Sequence, residues 1–338
     1  MEVFLGFEGG TIMQNTQWTT RKVVIVGAGA VGSTFAYALA QSGLADEITL
    51  LDVNQELAKG EVLDLSHGLP YYPNIEISVG KADDYTDAHV IVITAGAKQK
   101  GAETRLDLLQ RNATIIESIV DDIVAHKSRA VIVVVSNPVD ILTYLAHKRT
   151  SWGRGRVIGS GTVLDSARFR YLLSTHCGVD VHNVHAYVLG EHGDSQVAAW
   201  SMSHFAGVPI NDFCKHCGSC GGWEEMQADI EKTVRRSAYH VIEYKGATNY
   251  AVGLALLRIV GAIIRDERSV LTVSVPLQGE YGLSEVSLGV PCIVTQNGAE
   301  SVIEAKLSSG ELDALQASAS LLQETLKQLQ SNEQHSGK

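Results

Sequence analysis

The sequence predicts an α/β protein, a doubly wound parallel sheet domain followed by an α+β domain. Three observations predict it. Short Val/Ile-rich runs at residues 23–26, 47–51, 75–79, 90–94 and 130–135 alternate with helical patterns, as parallel strands covered on both faces do. A glycine-rich turn follows the first run directly. From about residue 161 strands and helices continue without βαβ order. The expected division is a flexible arm over 1–20, a first domain over 21–160, a second over 161–330 and a frayed tail over 331–338.

Taken in order, Val23-Val24-Ile25-Val26 is β-branched and short, Gly27-Ala28-Gly29-Ala30-Val31-Gly32 is a tight turn, and residues 35–44 have helical apolar spacing. In such a strand-turn-helix unit the first glycine permits the bend, and the second lets a pyrophosphate approach the backbone. The third lets helix and strand pack closely, as in a Rossmann dinucleotide-binding domain. The second strand ends in Asp52, at the spacing where an acid accepts from the adenosine ribose hydroxyls and repels a 2′-phosphate, so NAD is expected over NADP. Function should lie at the sheet's C-terminal edge, where Thr94-Ala95-Gly96 and Ser136-Asn137-Pro138 emerge.

The stretch 97–105 is polar, contains Gly101 and carries Gln99 and Arg105; it reads as a lid or as an ordinary solvated loop. A helix is expected over 104–124, and another starts near Gly161 with Asp165 and Arg168 three apart on one face. That pair fits a surface ion bridge as well as a site. Residues 185–189 form an apolar run that breaks into Gly190-Glu191-His192-Gly193-Asp194, a strand end passing into a loop, where scaffolds often carry reactive side chains. Further on, helices are expected over 223–244, 251–264 and 311–329, and strands near 271–275 and 290–294.

Composition bounds the partners. With 338 residues, 45% hydrophobic and 19% charged, the chain can bury a large core. A formal net charge of -11 argues against nucleic acid or an anionic membrane, so cations for an acidic metabolite must be gathered locally. No stretch has the length of a membrane span, and residues 1–20 lack the pattern of a signal peptide, so a cytoplasmic protein is expected. Five cysteines are too few for a disulfide scaffold. Cys214, His216, Cys217 and Cys220 could hold zinc, but no second Cys/His cluster accompanies them; a thiol-bearing surface loop and no metal are expected.

Together, the glycine turn with Asp52, the 99–105 segment, Ser136-Asn137-Pro138, Leu164-Asp165-Ser166-Ala167-Arg168 and Gly190-Glu191-His192-Gly193-Asp194 resemble the lactate/malate dehydrogenase family. The resemblance runs from about residue 21 to 330 and is closest to bacterial enzymes that reduce pyruvate. It implies NAD as cofactor, contacted by Gly27, Gly29, Val31, Gly32, Asp52, Thr94, Gly96, Ala97, Asn112, Ser136 and Asn137. It makes His192 the proton donor and acceptor, Asp165 its backing acid and Arg105 the lid arginine that polarises the ketone. Arg168 would grip the substrate carboxylate, with Asn137, Gln99 and Thr248 lining the substrate side.

An uncharged Gln99 leaves the second carboxylate of oxaloacetate unmatched, which favours pyruvate/lactate; NAD-dependent malate chemistry is the alternative, since Lys98 and Lys100 flank the position. Arg170 and His185 match positions that bind fructose 1,6-bisphosphate between subunits of allosteric relatives, so a homotetramer activated by that ligand is expected. Gly101-Ala102 departs from the Pro-Gly that relatives often carry there, which implies a looser lid.

Overall fold

The computed structural model describes residues 20–97, 103–217 and 222–336. The expected arm over 1–20 therefore lies almost wholly outside the described residues, as do Gln99, Lys98, Lys100 and Cys220. The first half comprises β1 (Lys22–Val26), α1 (Ala30–Ser42), β2 (Glu47–Leu51), α2 (Gln55–His67) and β3 (Glu76–Val79). It continues through β4 (Val90–Ile93), α3 (Arg105–Ala125), β5 (Val131–Val134), α4 (Val139–Thr150) and β6 (Val157–Gly159). These strands pair in the order β3-β2-β1-β4-β5-β6, all parallel, the order of a dinucleotide-binding sheet. Burial on both faces explains the uninterrupted Val/Ile runs: Val23, Val24, Ile25, Ile91, Val92 and Ile132 have no exposed surface.

The second half begins with α5 (Val163–Cys177) and short strands β7 (Val184–His185), β8 (Val188–Leu189), β9 (Val197–Ala198), β10 (His204–Phe205) and β11 (Val208–Pro209). It continues with α6 (Ile210–Cys217), α7 (Trp223–Lys245), α8 (Tyr250–Ile264), β12 (Ser269–Gln278), β13 (Ser284–Thr295), β14 (Gly298–Val302) and α9 (Ser309–Ser336). The last three strands join the sheet at β6: β12 pairs antiparallel with β6 at Ser274↔Gly159, then β13 and β14 follow antiparallel. One nine-stranded sheet thus crosses the boundary between the two halves. β12 and β13 are longer than the expected 271–275 and 290–294, because their polar ends satisfy each other's backbone in a hairpin.

Helix α8 packs against α1, and a Cβ at Gly253 would stand 3.4 Å from the Phe35 backbone nitrogen, so the contact is close. Two expectations need correction. Residues 331–336 continue α9 rather than fray, since nothing before Gly337 stops a helix. Cys214 is not in a surface loop: it lies in α6, buried against a second apolar cluster with Phe169, Leu173, Phe205, Ile210 and Met226. A thiol packs there as a small apolar side chain.

Candidate active site

The glycine turn is built as its spacing requires. Gly27 has φ +110, and a Cβ there would stand 2.7 Å from the Ala95 nitrogen. At Gly32 a Cβ would fall 1.9 Å from the Gly27 carbonyl oxygen, so only glycine lets α1 approach the turn. Gly29 differs: nothing lies within 4 Å of its Cβ position. It also N-caps α1 with no side-chain hydrogen bond, leaving the first helical N–H groups open beside that space. An open approach at a helix N-terminus fits a pyrophosphate.

Asp52 accepts from the Ala28 N–H at 2.7 Å and the Asn54 N–H at 2.8 Å. Its two oxygens keep lone pairs for a ribose, and its side chain is half-exposed. These features fit NAD. Thr94 Oγ1 donates to the Gly27 carbonyl at 2.9 Å and so braces the turn. Ser136 Oγ donates to Ala95 O at 2.5 Å. Asn112 accepts from the Ala97 N–H at 2.8 Å and donates to Asn137 O at 3.0 Å. The side chains of Thr94, Asn112 and Ser136 thus hold the sheet-edge loops in shape, and Gly96 and Ala97 lie in the loop they hold.

Beside this edge a cavity of about 630 Å³ brings together Arg105, Asn137, Asp165, Arg168 and His192, residues far apart in sequence. Four elements supply them. Arg105 is the first residue of α3, set by the reciprocal Thr104/Asp107 capping bonds. Asn137 precedes α4, Asp165 and Arg168 lie on α5, and His192 follows β8. A larger cavity, about 990 Å³, lies by Trp200, Trp223 and Glu311. It is not the candidate, because it lacks any paired acid and imidazole.

His192 Nδ1 is 2.5 Å from Asp165 Oδ2, and Arg168 Nη1 donates to Asp165 Oδ1 at 2.9 Å. With the carboxylate accepting, Nδ1 carries a proton and Nε2 is left for substrate. The Asp165 side chain is 3% exposed, which rules out the surface ion bridge that the sequence left open. Burial alone would push the His192 pKa down; the Asp165 charge and hydrogen bond, helped by Asp140, outweigh it and hold it above the ordinary histidine value. Burial opposes the Asp165 charge in the same way, and His192 and Arg168 together hold that carboxyl below its ordinary value. A buried imidazolium, carboxylate and guanidinium in one chain can deliver a proton and still hold an anion.

Thr248, in the turn between α7 and α8, is not among the residues lining this cavity. Gln99 lies outside the described residues. Arg170 and His185 do come together, away from the cavity. Arg170 Nε donates to Val184 O at 2.7 Å, and the exposed His185 ring stacks on His204 with centroids 4.9 Å apart.

Three contributors escaped the sequence reading. Asp140 accepts the His192 backbone N–H at 2.7 Å. Ser318 on α9 accepts the Glu191 N–H at 3.0 Å, and Tyr239 on α7 donates to Asp194 at 3.1 Å at the cavity rim. An acid directly after Asn137-Pro138-Val139 was the available signal for Asp140, but it reads equally as a first-turn acid stabilising a helix N-terminus.

Comparison with known proteins identifies the family. Residues 21–159 match the lactate/malate dehydrogenase NAD binding domain, and residues 162–333 match the lactate/malate dehydrogenase alpha/beta C-terminal domain. An L-lactate dehydrogenase of Treponema denticola is 57% identical over 309 residues, 91% of this chain and 98% of that protein. One of Acetivibrio thermocellus is 48% identical over 93% of this chain and 99% of its own length. The crystal structure of minor L-lactate dehydrogenase from Enterococcus mundtii in its ligands-bound form superposes with a TM-score of 0.89 at 42% identity, covering 92% of this chain and 98% of that one. With both halves matched and an NAD-binding edge beside an acid/base cavity, the chain belongs to the lactate/malate dehydrogenase family.

Proposed function

We propose that the chain is an L-lactate dehydrogenase that reversibly reduces pyruvate to (S)-lactate with NADH. The observation that carries the mechanism is the contact of His192 and Arg168 with one buried carboxylate, Asp165, at 2.5 and 2.9 Å. Bound NADH supplies the hydride to the carbonyl carbon. Arg168 anchors the pyruvate carboxylate through guanidinium N–H groups not engaged by Asp165. His192 Nε2 gives its proton to the carbonyl oxygen as the C–O bond becomes an alkoxide, and takes it back in lactate oxidation. Arg105, at the mouth of the cavity, stabilises the developing oxyanion, and Asn137 hydrogen-bonds near the same atom.

Pyruvate is favoured over oxaloacetate because Gln99 offers no charge to a second carboxylate, and the L-lactate dehydrogenase relatives support the same choice. Initial rates of NADH oxidation with each acid test it. A preference of at least about tenfold for pyruvate is expected, and a preference for oxaloacetate overturns the assignment.

Regulation is a finer part of the proposal. Arg170 and His185, if doubled across a twofold axis, suit a polyanion such as fructose 1,6-bisphosphate. The doubling that such a site needs is the reason a homotetramer belongs to the same proposal. If saturating fructose 1,6-bisphosphate leaves the pyruvate saturation curve unchanged for wild type and Arg170→Gln alike, activation is discarded. No helix among the described residues is long and apolar enough to cross a membrane.

A further inference from the structure

Asp140 is 2% exposed, yet among the described residues it forms no ion pair with a lysine or arginine. Its oxygens have two partners: Oδ2 accepts the His192 backbone N–H at 2.7 Å, and Oδ1 accepts the Ser274 hydroxyl at 2.5 Å. A buried carboxylate with no cation in contact is costly, and an amide would satisfy two donors with less desolvation. The position of the charge is therefore informative. It sits in the first turn of α4, bonded on one side to β12 and on the other to the loop that carries the imidazole.

We propose that Asp140 is a positioning residue for the reduction: it fixes the His192 backbone against the NAD-binding half and places a second negative charge behind the imidazole. This rests on His192 being the proton donor. The loop is held at each step, by paired Gly190 and Gly289 backbone bonds of 2.9 and 3.0 Å, by Ser318 at Glu191 and by Asp140 at His192. Asp165 then fixes the ring, so main chain and side chain are set by different carboxylates from different helices. Burial raises the Asp140 pKa to about 6, against the opposing Ser274 and His192 N–H bonds, so the carboxylate is charged at neutral pH. Around the pair stand Glu191 on the same loop, Asp165 and Arg168 on α5, Arg105 on α3, Asp194 beyond β8, and Arg235 and Tyr239 on α7. Of these, Asp165 and Asp140 favour the imidazolium, and Arg168 opposes it.

The test is the pH dependence of kcat/KM for pyruvate reduction by the full chain, from about pH 5.5 to about 9.5, in wild type, Asp140→Asn, Ser274→Ala and His192→Gln. Asp140→Asn keeps an oxygen for the His192 N–H and loses the charge. Its falling alkaline limb should move about one pH unit lower, a loss of about tenfold above the limb. Ser274→Ala keeps the charge and loses one hydrogen bond, so its limb should move less than half as far. A limb for Asp140→Asn that superposes on wild type overturns the inference, as does an equal shift in Ser274→Ala, which would assign the effect to packing. If His192→Gln is inactive while the Asp140→Asn limb is unmoved, this inference alone falls. If His192→Gln keeps turnover, the proton-donor reading falls and takes the inference with it.

Discussion

Replacing Asp165 by asparagine removes one charge and changes little in volume, so its effect can be worked from the site. Asp165 lies 2.5 Å from His192 Nδ1 and its side chain is 3% exposed. Opposite charges centred about 4 Å apart interact by about 4 kcal/mol at an effective permittivity near 20, which corresponds to about three pKa units as a ceiling. Burial and the Arg168 charge both act against the imidazolium, and once the Asp165 carboxylate is gone only the weaker Asp140 charge still opposes them. A fall of at least about two units in the His192 pKa is expected.

With His192 as the proposed proton donor, reduction needs the protonated imidazole. Activity is therefore present below the His192 pKa and lost as pH rises through it, and the mutation brings that loss to lower pH. At pH values above the wild-type limb the protonated fraction, and with it kcat, should drop about 100-fold. The assay is steady-state NADH oxidation with saturating pyruvate across pH. An Asp165→Asn enzyme with wild-type limb position and kcat within about twofold would refute the electrostatic argument.

Other outcomes follow from the same geometry. Arg168→Lys loses the planar fork and should raise KM for pyruvate by about 100-fold with the fold intact by circular dichroism. The two turn glycines should separate: Gly29→Ala, with open space around the Cβ, should weaken NADH binding in a fluorescence titration while leaving Tm nearly unchanged. Gly32→Ala meets the Gly27 carbonyl at 1.9 Å and should destabilise the fold by about 1–3 kcal/mol, read from denaturant unfolding. Asp140 has a folded pKa near 6, above the unfolded value of 3.8, so its contribution to stability is present below about pH 4 and lost as pH rises through 6. The Tm of Asp140→Asn should therefore gain on wild type between about pH 4.5 and 7.5; a constant difference would contradict the raised pKa.

What the sequence revealed, and what it hid, has physical causes. β1, the glycine turn and α1 were legible because buried parallel strands leave continuous β-branched runs and because Gly27 and Gly32 have no steric substitute. The His192 loop and the Asp165/Arg168 pair were legible as residues from the chain's own pattern, and their contact only through the family resemblance. Spacing puts Asp165 and Arg168 on one face without saying that α5 turns that face inward toward β8.

Helix α4 was passed over, since an Asn-Pro start reads as a turn, and with it went Asp140, whose partners His192 and Ser274 stand 52 and 134 residues away. No local pattern encodes such a bond. The ends of β12 and β13 were missed for a related reason: Ser269, Gln278 and Ser284 become strand residues only through each other's backbone. Cys214 misled because thiols spaced two residues apart suggest exposure or metal, whereas α6 points that side chain into the second core.

On the proposed mechanism the imidazole of His192 moves the proton, while the rest of the site binds, orients and stabilises charge. Single-turnover reduction of pyruvate by His192→Gln preloaded with NADH measures this most directly, because it separates chemistry from binding and product release. NADH affinity close to wild type and a chemical step slowed by about 1000-fold or more are expected. A step within about tenfold of wild type would contradict it.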